Sequence, residues 1–333
     1  MPETATETPS EPALLRCVRG AVTEIRRVSP GFARVTLASE GFTLMGDGGP
    51  YLDCRIKIIF GGSEGARLAE GPIRGSRWYS QWREQAPEER GAMRTFSIVA
   101  ARPGEIDVEF ALHAPHEGRG PAAEWIDSAA VGDELDVIGP ELAYWSRSGA
   151  RNHAIEFAPG EAGRIVIVGD ATALPAIESI LRDWDAAARP GAEARVLVEI
   201  PHEADRRPLE REGVEVEWVV SGETLGARLV EEVWGARGAA HARFLAGEPL
   251  PALPVVLPAS PPADTAGDDD ADAAEGLLWE AGDAAEGAST YVWVAGEQGA
   301  VRDVRRFYVQ ECGIDRRSVA FMGYWKRGQA QAS

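Results

Sequence analysis

Short runs of alternating apolar and polar residues fill the first half of the chain. These runs lie at residues 15–22, 33–37, 54–59, 93–100, 106–113 and 134–138. Turn-forming clusters, such as Ser-Pro-Gly at 29–31, separate the early runs. Residues 61–92 are rich in Gly, Arg and Glu and predict a long excursion with one short helix. Short alternating strands broken by turns are typical of an antiparallel barrel or sandwich.

From about residue 163 the pattern changes to buried-type strands separated by amphipathic segments. The predicted strands are 164–170, 194–200, 214–220 and 291–296. An amphipathic segment at 173–188 follows the first of them. Strands that alternate with helices predict a mostly parallel sheet with crossover connections. Residues 247–289, rich in Pro, Ala and Asp, are predicted to form an irregular loop.

A length of 333 residues suits two domains. We expect a disordered N-terminus at 1–12, an antiparallel β-barrel domain at 13–160 and an α/β domain at 161–328. No apolar run in the sequence approaches the ~20 residues that a membrane helix needs. The acidic, polar N-terminus has neither the basic nor the apolar region of a signal peptide. These features predict a cytoplasmic protein without membrane insertion.

The net charge of −19 argues against nucleic acid or anionic lipid as the partner. The charge is unevenly placed, because residues 261–289 carry nine carboxylates and no cation. The rest of the chain could therefore hold a basic cleft. Lysine occurs only at Lys57 and Lys326, against thirty-two arginines. Since Lys is a compact point charge where Arg is a planar fork, these two positions are candidates for a specific role.

Cysteine and histidine give no support for a metal centre. Cys17, Cys54 and Cys312 lie far apart, which favours neither a disulfide framework nor a cysteine-ligated iron–sulfur cluster. His113 and His116 form a close pair with no further Cys or His nearby, so we predict no metal site. No nucleophile or acid–base dyad is visible, and we predict no catalytic side chain.

Several short motifs follow one another in a recognisable order. They are Arg-Thr-Phe-Ser at 94–97, residues 110–113, 120–125, 169–177 and 294–297, and Gly-Tyr-Trp-Lys-Arg-Gly at 323–328. Together they resemble the siderophore-interacting proteins, a branch of the ferredoxin-reductase-like flavoproteins, from about residue 14 to about 328. The resemblance implies a Greek-key barrel that binds FAD, followed by a Rossmann-like domain for NADPH or NADH. It also implies reduction of ferric siderophores by a protein that we expect to be monomeric.

The resemblance assigns roles on the barrel side of the flavin. Arg94 would hold phosphate, Phe96 would pack on the isoalloxazine, and Ser97 would donate to the flavin edge. Strand alternation places Arg94 and Phe96 on one side and Ser97 on the other. His113 would lie at the flavin site, although an ordinary hydrogen-bonded strand histidine is the alternative. The phosphate would also meet a helix start, whose small residues let the backbone approach it. That helix start comprises Gly120, Pro121 and Ala122, with Trp125 mostly in the core.

On the α/β side, the candidate cofactor contacts lie at the ends of two strands. The first group is Asp170, Thr172 and Ala173, where a doubly wound sheet places nucleotide phosphates. The second is Gly296 and Glu297, from which a nicotinamide could reach the flavin; generic strand ends are the alternative. Trp325 either packs against the flavin or caps the core. Glu199 would suit a ribose hydroxyl, and Arg206 and Arg207 a 2′-phosphate, so the choice between NADH and NADPH stays open.

The substrate is expected to be an anionic ferric siderophore. Lys57, Lys326 and Arg327 are the candidates for a cleft that attracts it, with plain surface charge as the alternative.

Departures from the family pattern affect contacts more than fold: Phe96 replaces the usual Tyr, Val99 a second Arg, and Ala171 a Glu. Two other functions remain open. One is siderophore binding or iron sequestration without turnover, and the other is electron transfer to a protein partner.

Overall fold

A computed structural model describes residues 12–46, 48–112, 120–222, 224–248, 279–280, 284 and 287–327. The predicted disordered terminus at 1–12 lies almost entirely outside these residues, as does most of the acidic loop at about 247–289. In the described part of the chain, no helix is both long and apolar enough to cross a membrane.

The first domain is a closed antiparallel barrel, as predicted. Its strands are β1 Ala13–Ser29, β2 Phe32–Ala38, β3 Arg55–Phe60, β4 Gly71–Arg74, β5 Ala92–Arg102, β6 Glu105–Ala111 and β7 Glu134–Pro140. The sheet order is β2-β6-β5-β3-β7-β1-β4, and pairing of β1 with β2 closes a ring of six strands. β4 is added to β1 outside this ring. β6 pairs with β2, whereas β3, the next ring strand after β2, lies beyond β6 and β5. The long connection from β2 to β3 is therefore of the Greek-key type.

The excursion at 61–92 is more structured than the single short helix that its composition predicts. It contains β4 and two helices, α1 Trp78–Glu84 and α2 Pro87–Arg90. The fully buried Trp82 joins Ile59 and Met93 in a small apolar cluster on the outer face of the barrel. The additional strand and helix could not be predicted from the local sequence pattern, because they are stabilised by contacts with the distant strands β3 and β5.

The second domain has a six-stranded, mostly parallel sheet. Its strands are β8 Arg164–Gly169, β9 Glu193–Ile200, β10 Val214–Val220, β11 Trp279–Glu280, β12 Thr290–Glu297 and β13 Val319–Trp325. The order is β10-β9-β8-β12-β13-β11, with only β11 antiparallel to its neighbour. The four predicted strands are confirmed. β11 corrects the expectation of an irregular loop throughout 247–289, because residues 279–280 pair with β13.

Helices pack on the barrel and on the sheet. They are α3 Pro121–Ser128, α4 Leu142–Ser148, α5 Leu174–Arg182, α6 Trp184–Ala187, α7 Ala227–Trp234, α8 Ala236–Ala246 and α9 Gln298–Arg306. The predicted amphipathic segment at 173–188 divides into α5 and α6 at Asp183. The carboxylate of Asp183 accepts hydrogen bonds from the backbone N–H groups of Tyr51 and Leu52, so this break contacts the barrel domain.

The two domains share a continuous interior, since one cluster of buried apolar side chains includes residues of both. The buried carboxylate of Asp53 in the barrel domain accepts a 2.9 Å hydrogen bond from the indole of Trp293 on β12. Its oxygens also accept bonds of 3.1 Å from the backbone N–H groups of Glu156 and Phe157. These contacts fix the position of the barrel relative to the sheet.

Candidate functional site

Strand β5 carries the Arg-Thr-Phe-Ser motif at the centre of the candidate site. Arg94 lies opposite Ile58 of β3, and Phe96 lies opposite Ile56, so both are on the face of the strand that lines the barrel. Burial lowers the pKa of the Arg94 guanidinium, which donates to the Met93 carbonyl at 2.8 Å. A half-buried guanidinium is suited to an anionic group, because charge-assisted hydrogen bonds to phosphate are strong.

Four aromatic rings connect this strand with α3. Phe96 lies 4.7 Å from Phe110 and 5.9 Å from Phe60, measured between ring centroids. Trp125 of α3 lies 5.4 Å from both Phe60 and Phe110. Trp125 was predicted to lie mostly in the core, and this packing confirms the prediction. Phe60, and Phe110 at the start of the 110–113 motif, had no predicted role, and they join the start of α3 to the motif strand.

The start of α3 has the small residues that let a phosphate approach the backbone. Gly120 is the N-cap in extended conformation and Pro121 occupies the first turn. A Cβ added to Gly120 would meet no heavy atom of the described residues within 4 Å. Ala122 follows in the first turn, where backbone N–H groups point away from the helix. His113, the remaining candidate of this segment, lies outside the described residues.

Ser97 lies where the barrel meets the α/β domain. Its side chain is only 9% exposed and hydrogen-bonds the hydroxyl of Tyr324, on β13. Burial raises the pKa of Tyr324 well above its usual range, and the nearby Asp53 carboxylate adds to the shift. Arg55, the cross-strand neighbour of Ser97, pairs with Glu156. Tyr324 was not predicted as a site residue, although it lies in the terminal motif beside the predicted Trp325.

Asp170 organises the rim at the carboxyl end of the sheet. Its fully buried carboxylate accepts hydrogen bonds from four donors. The donors are the Thr172 backbone N–H (2.8 Å), the Thr172 hydroxyl (2.6 Å), the Glu297 backbone N–H (2.7 Å) and the Trp325 indole N–H (2.9 Å). The predicted rim residues are thus brought together by one carboxylate, which joins the ends of β8, β12 and β13.

The end of β12 adopts a conformation that only glycine accommodates easily. Gly296 has φ of 146°, and a Cβ there would lie 2.6 Å from Oδ2 of Asp170. Glu297 is the N-cap of α9 and accepts from the Ala300 backbone N–H at 2.9 Å. Its other oxygen accepts from the backbone N–H of Arg327 at 3.2 Å. Both candidates therefore shape the rim, and they hold the chain that follows β13.

Three positions of the family pattern lie in the interior. Ala173 is fully buried below the rim, so its side chain supports the turn from inside. Ala171, where the resemblance implies Glu, is 1% exposed. Val99, where the resemblance implies a second Arg, is also 1% exposed. The Val99 carbonyl accepts hydrogen bonds from Ser179 and from the guanidinium of Arg182 on α5.

The predicted substrate cations divide between two surfaces. Lys57 lies on the outer face of β3 beside Thr95, with Nζ 3.5 Å from the Thr95 hydroxyl. Burial lowers the pKa of its ammonium, and the Arg55 charge adds to this. Lys326 is exposed just beyond β13, two residues after Tyr324. Arg327 instead donates to the Leu225 carbonyl, before α7, which places its guanidinium at the sheet rim.

The residues suggested for nucleotide choice have other contacts. Glu199 is fully buried, its carboxylate accepts from the Gly226 N–H, and burial raises its pKa to about 7. Arg207 pairs with Glu109 and Glu178 across the domain boundary. The expectation that Glu199 and Arg207 meet the nucleotide is therefore corrected, since neither side chain faces outward. Arg206 is exposed and pairs with Glu203 at 2.8 Å.

No group of three or more His, Cys, Asp or Glu side chains is arranged to hold a metal ion within the described ranges. Cys17, Cys54 and Cys312 are free thiols. Burial raises the pKa of both Cys17 and Cys312 to about 12, which keeps these thiols protonated and unreactive at neutral pH.

Two family models match nearly the whole chain. The model of the siderophore-interacting FAD-binding domain matches residues 21–144, which form most of the barrel domain. The model of the siderophore-interacting protein matches residues 162–328, which form the α/β domain. The residues present fit FAD: Arg94 and the small residues at the start of α3 suit its phosphates, and Ser97 with the neighbouring aromatic side chains suits its ring.

Individual relatives agree with these matches. Ferric acinetobactin reductase of Acinetobacter baumannii is 32% identical over 101 residues, which is 30% of this chain and 30% of that protein. Ferric vibriobactin reductase of Vibrio cholerae is 28% identical over 228 residues, 66% of this chain and 74% of that protein. The siderophore-interacting protein SipS from Aeromonas hydrophila, a solved structure, has a TM-score of 0.59 at 24% identity. That alignment covers 96% of this chain and 94% of SipS, which shows a shared fold.

Proposed function

The chain belongs to the siderophore-interacting protein family, and from that premise we propose that it is a FAD-dependent ferric-siderophore reductase. Electrons pass from NADPH or NADH through FAD to siderophore-bound Fe(III), and Fe(II) is released for iron assimilation. One hydride supplies the electrons for two ferric ions. Hard oxygen chelators hold the less charged ferrous ion far less well, so reduction frees the metal.

The observation that carries the proposal is the contact between Ser97 and Tyr324. It joins the motif strand of the FAD-binding barrel to the last strand of the sheet, beside the rim that Asp170 organises. Arg94 and the start of α3 would hold the cofactor phosphates. Bound FAD would supply the conversion between two-electron and one-electron transfer that a nicotinamide and a ferric ion require.

The protein side chains are needed for binding and positioning. Ser97 is oriented by Tyr324, which fixes a hydroxyl at the domain boundary. Lys57 on β3 of the barrel and Lys326 just beyond β13 of the α/β domain each present positive charge, which suits an anionic siderophore. The rim of β8 and β12 would hold the nicotinamide nucleotide. Arg206, the exposed member of the suggested pair, is the better candidate for a 2′-phosphate.

Anaerobic reduction of a panel of ferric siderophores tests the proposal. Purified holoprotein is supplied with NADH or NADPH in separate reactions, and a ferrous chelator reports released Fe(II). We expect at least one siderophore to be reduced with repeated turnover by one of the nucleotides. Tight binding of ferric siderophore without turnover would instead establish sequestration. Flavin reduction by nucleotide without any Fe(II) formation would favour a protein electron acceptor.

A further inference from the structure

Four charged side chains form a closed ring across the boundary between the two domains. The barrel contributes Arg34 of β2 and Glu109 of β6, which are cross-strand partners. The α/β domain contributes Glu178 of α5 and Arg207, which lies between β9 and β10. Each carboxylate pairs with both guanidinium groups, so cations and carboxylates alternate around the ring. Each domain therefore supplies one cation and one carboxylate, and the ring carries no net charge.

The ring is largely withdrawn from solvent. The Glu109 side chain is fully buried, and the Arg207 side chain is only 13% exposed. The guanidinium of Arg207 also lies 4.8 Å from the ring centroid of Phe32, at the start of β2. Breaking a buried ion network leaves an uncompensated charge, whereas the net contribution of the intact network to stability is small. Such a network therefore fixes one arrangement of the elements that carry it.

A second contact between the domains lies beside the ring. The carboxylate of Asp205, two residues before Arg207, is fully buried. It accepts a 2.6 Å hydrogen bond from the hydroxyl of Ser29, at the end of β1, and a 2.7 Å bond from the backbone N–H of Gly31, in the turn that follows. The segment between β9 and β10 is therefore held on the barrel at two points.

Other contacts between the domains lie on the opposite side of the sheet. The sheet order is β10-β9-β8-β12-β13-β11, and the ring involves α5 and the segment that follows β9. Trp293 of β12 contacts Asp53, and Tyr324 of β13 contacts Ser97. Contacts on one side alone would let the barrel pivot about them. Contacts on both sides fix the angle between the barrel and the rim of β8 and β12.

We propose that this ring holds the α/β domain against the barrel so that a nicotinamide nucleotide on the rim meets FAD in the geometry for hydride transfer. The inference rests on the proposed function and assigns Glu109 and Arg207 as positioning residues, since both side chains are engaged within the ring. Hydride transfer crosses the domain boundary and needs reacting atoms within about 3.5 Å. A misplacement of about 1 Å caused by a distant substitution can cost about a hundredfold in rate.

The test separates the rate of flavin reduction from nucleotide binding. FAD-loaded protein is mixed anaerobically with NADPH or NADH, and the loss of flavin absorbance gives the limiting rate at saturating nucleotide. Isothermal titration calorimetry measures binding of NADP⁺ or NAD⁺, which cannot reduce the flavin. We expect Arg207→Gln to lower the limiting rate about tenfold, with FAD content unchanged and the dissociation constant of the oxidised nucleotide changed by less than about twofold. Arg207→Lys keeps the charge without the planar fork and should recover part of the rate.

A double variant, Glu178→Gln with Arg207→Gln, removes the ring without leaving a net charge. It deletes both charges that the α/β domain supplies, and Arg34 and Glu109 remain as a neutral pair within the barrel. The fold is therefore spared an uncompensated buried carboxylate. The limiting rate of this variant should be as low as that of Arg207→Gln, because the contact across the boundary is lost in both.

Arg102→Gln is the matched control. Arg102 pairs at 2.9 Å with Asp107, which lies two residues before Glu109 on the same face of β6. Because this pair lies entirely within the barrel, its removal should leave the limiting rate unchanged.

The positioning role is overturned if Arg207→Gln or the double variant keeps the normal limiting rate, or if Arg102→Gln slows reduction equally. It is also overturned if nucleotide binding weakens by the same factor as the rate falls, since Arg207 would then act on affinity. Failure of both nucleotides to reduce the flavin of the unmodified protein would refute the proposed function together with this inference. Normal reduction by the variants would refute the positioning role alone.

Discussion

The candidate site has partly buried cations on its barrel side and buried carboxylates at the rim of the α/β sheet, where Lys326 and Arg327 add exposed positive charge. On the barrel side, Lys57 and Arg94 are partly buried cations, and burial lowers the pKa of each. On the sheet side, Asp170 and Glu199 are fully buried carboxylates at the rim. The carboxylates accept hydrogen bonds from backbone and indole N–H groups, whereas the hydrogen bonds of the two cations described above go to neutral oxygens.

The buried carboxylates therefore shape the site, whereas the partly buried cations suit an anionic ligand. A buried carboxylate is costly unless donors compensate it, and four donors surround Asp170. Its role is therefore to fix the strand ends. Burial lowers the pKa of both Lys57 and Arg94, so an incoming anion would offset part of the cost of keeping each cation charged. Substitutions on the two sides should consequently affect different measurements.

The largest effect is expected for Asp170→Ala, which removes the acceptor shared by Thr172, Glu297 and Trp325. Buried donors without an acceptor each cost about 1–3 kcal/mol. We expect the free energy of unfolding to fall by about 4 kcal/mol in urea denaturation, since the separate losses are not fully additive. Asp170→Asn keeps one acceptor oxygen and should lose less. Equal stability of Asp170→Ala and the unmodified protein would contradict the organising role.

The pH dependence of stability should expose Glu199. Its folded-state pKa is raised to about 7 from an ordinary value of 4.5, chiefly by burial. Between pH 4.5 and about 7, Glu199 is therefore protonated in the folded protein and ionised in the unfolded chain. The resulting stabilisation is complete below pH 4.5 and is lost as pH rises to about 7. The loss is about 3 kcal/mol at most.

Urea denaturation at several pH values compares Glu199 with Glu199→Gln, and the difference isolates this group from others that titrate. The Gln variant should gain stability relative to the unmodified protein as pH rises, with the change complete slightly above pH 7. If the free energy of unfolding of the two proteins changes in parallel with pH, folding does not raise the pKa of Glu199, and the prediction is wrong.

On the barrel side, Arg94→Ala should weaken FAD binding about thirtyfold, or about 2 kcal/mol, because a charge-assisted phosphate contact is lost. The variant should lose flavin on desalting while its circular dichroism spectrum stays unchanged. Arg94→Lys retains the charge without the planar fork and should show a smaller loss. Stoichiometric FAD after desalting of the Ala variant would remove Arg94 from the phosphate site.

Local pattern was sufficient for those parts of the fold that repeat a simple period. The alternation around Arg94 predicted β5, and the apolar run before Asp170 predicted β8. The motif order selected Ser97 and Trp325 as candidate cofactor contacts, and these roles stay predictions; the structure places the two residues on strands that meet through Tyr324. Each of these predictions needed only neighbouring residues or the order of motifs along the chain.

Contacts between distant segments could not be predicted in this way. Glu199 ends a strand, as a ribose-binding residue would, but the loop before α7 covers it. Arg207 follows the same strand and is engaged by Glu109 of the barrel, far away in sequence. Phe60 and Phe110 are ordinary strand residues until α3 packs on them. In each case, tertiary packing decided which side chain reaches the surface.

The smallest effect is expected at the substrate cations. Lys57→Glu and Lys326→Glu should each lower kcat/KM for an anionic ferric siderophore about tenfold through KM, because an attractive positive charge is replaced by a repulsive negative one. Flavin reduction by NADPH or NADH should stay nearly unchanged. The loss should shrink as salt is raised, since salt screens exposed charges. A neutral ferric chelate is the control and should be almost unaffected. If neutral and anionic substrates slow equally, the lysines support the fold or the flavin, and electrostatic capture of substrate by these two lysines is refuted.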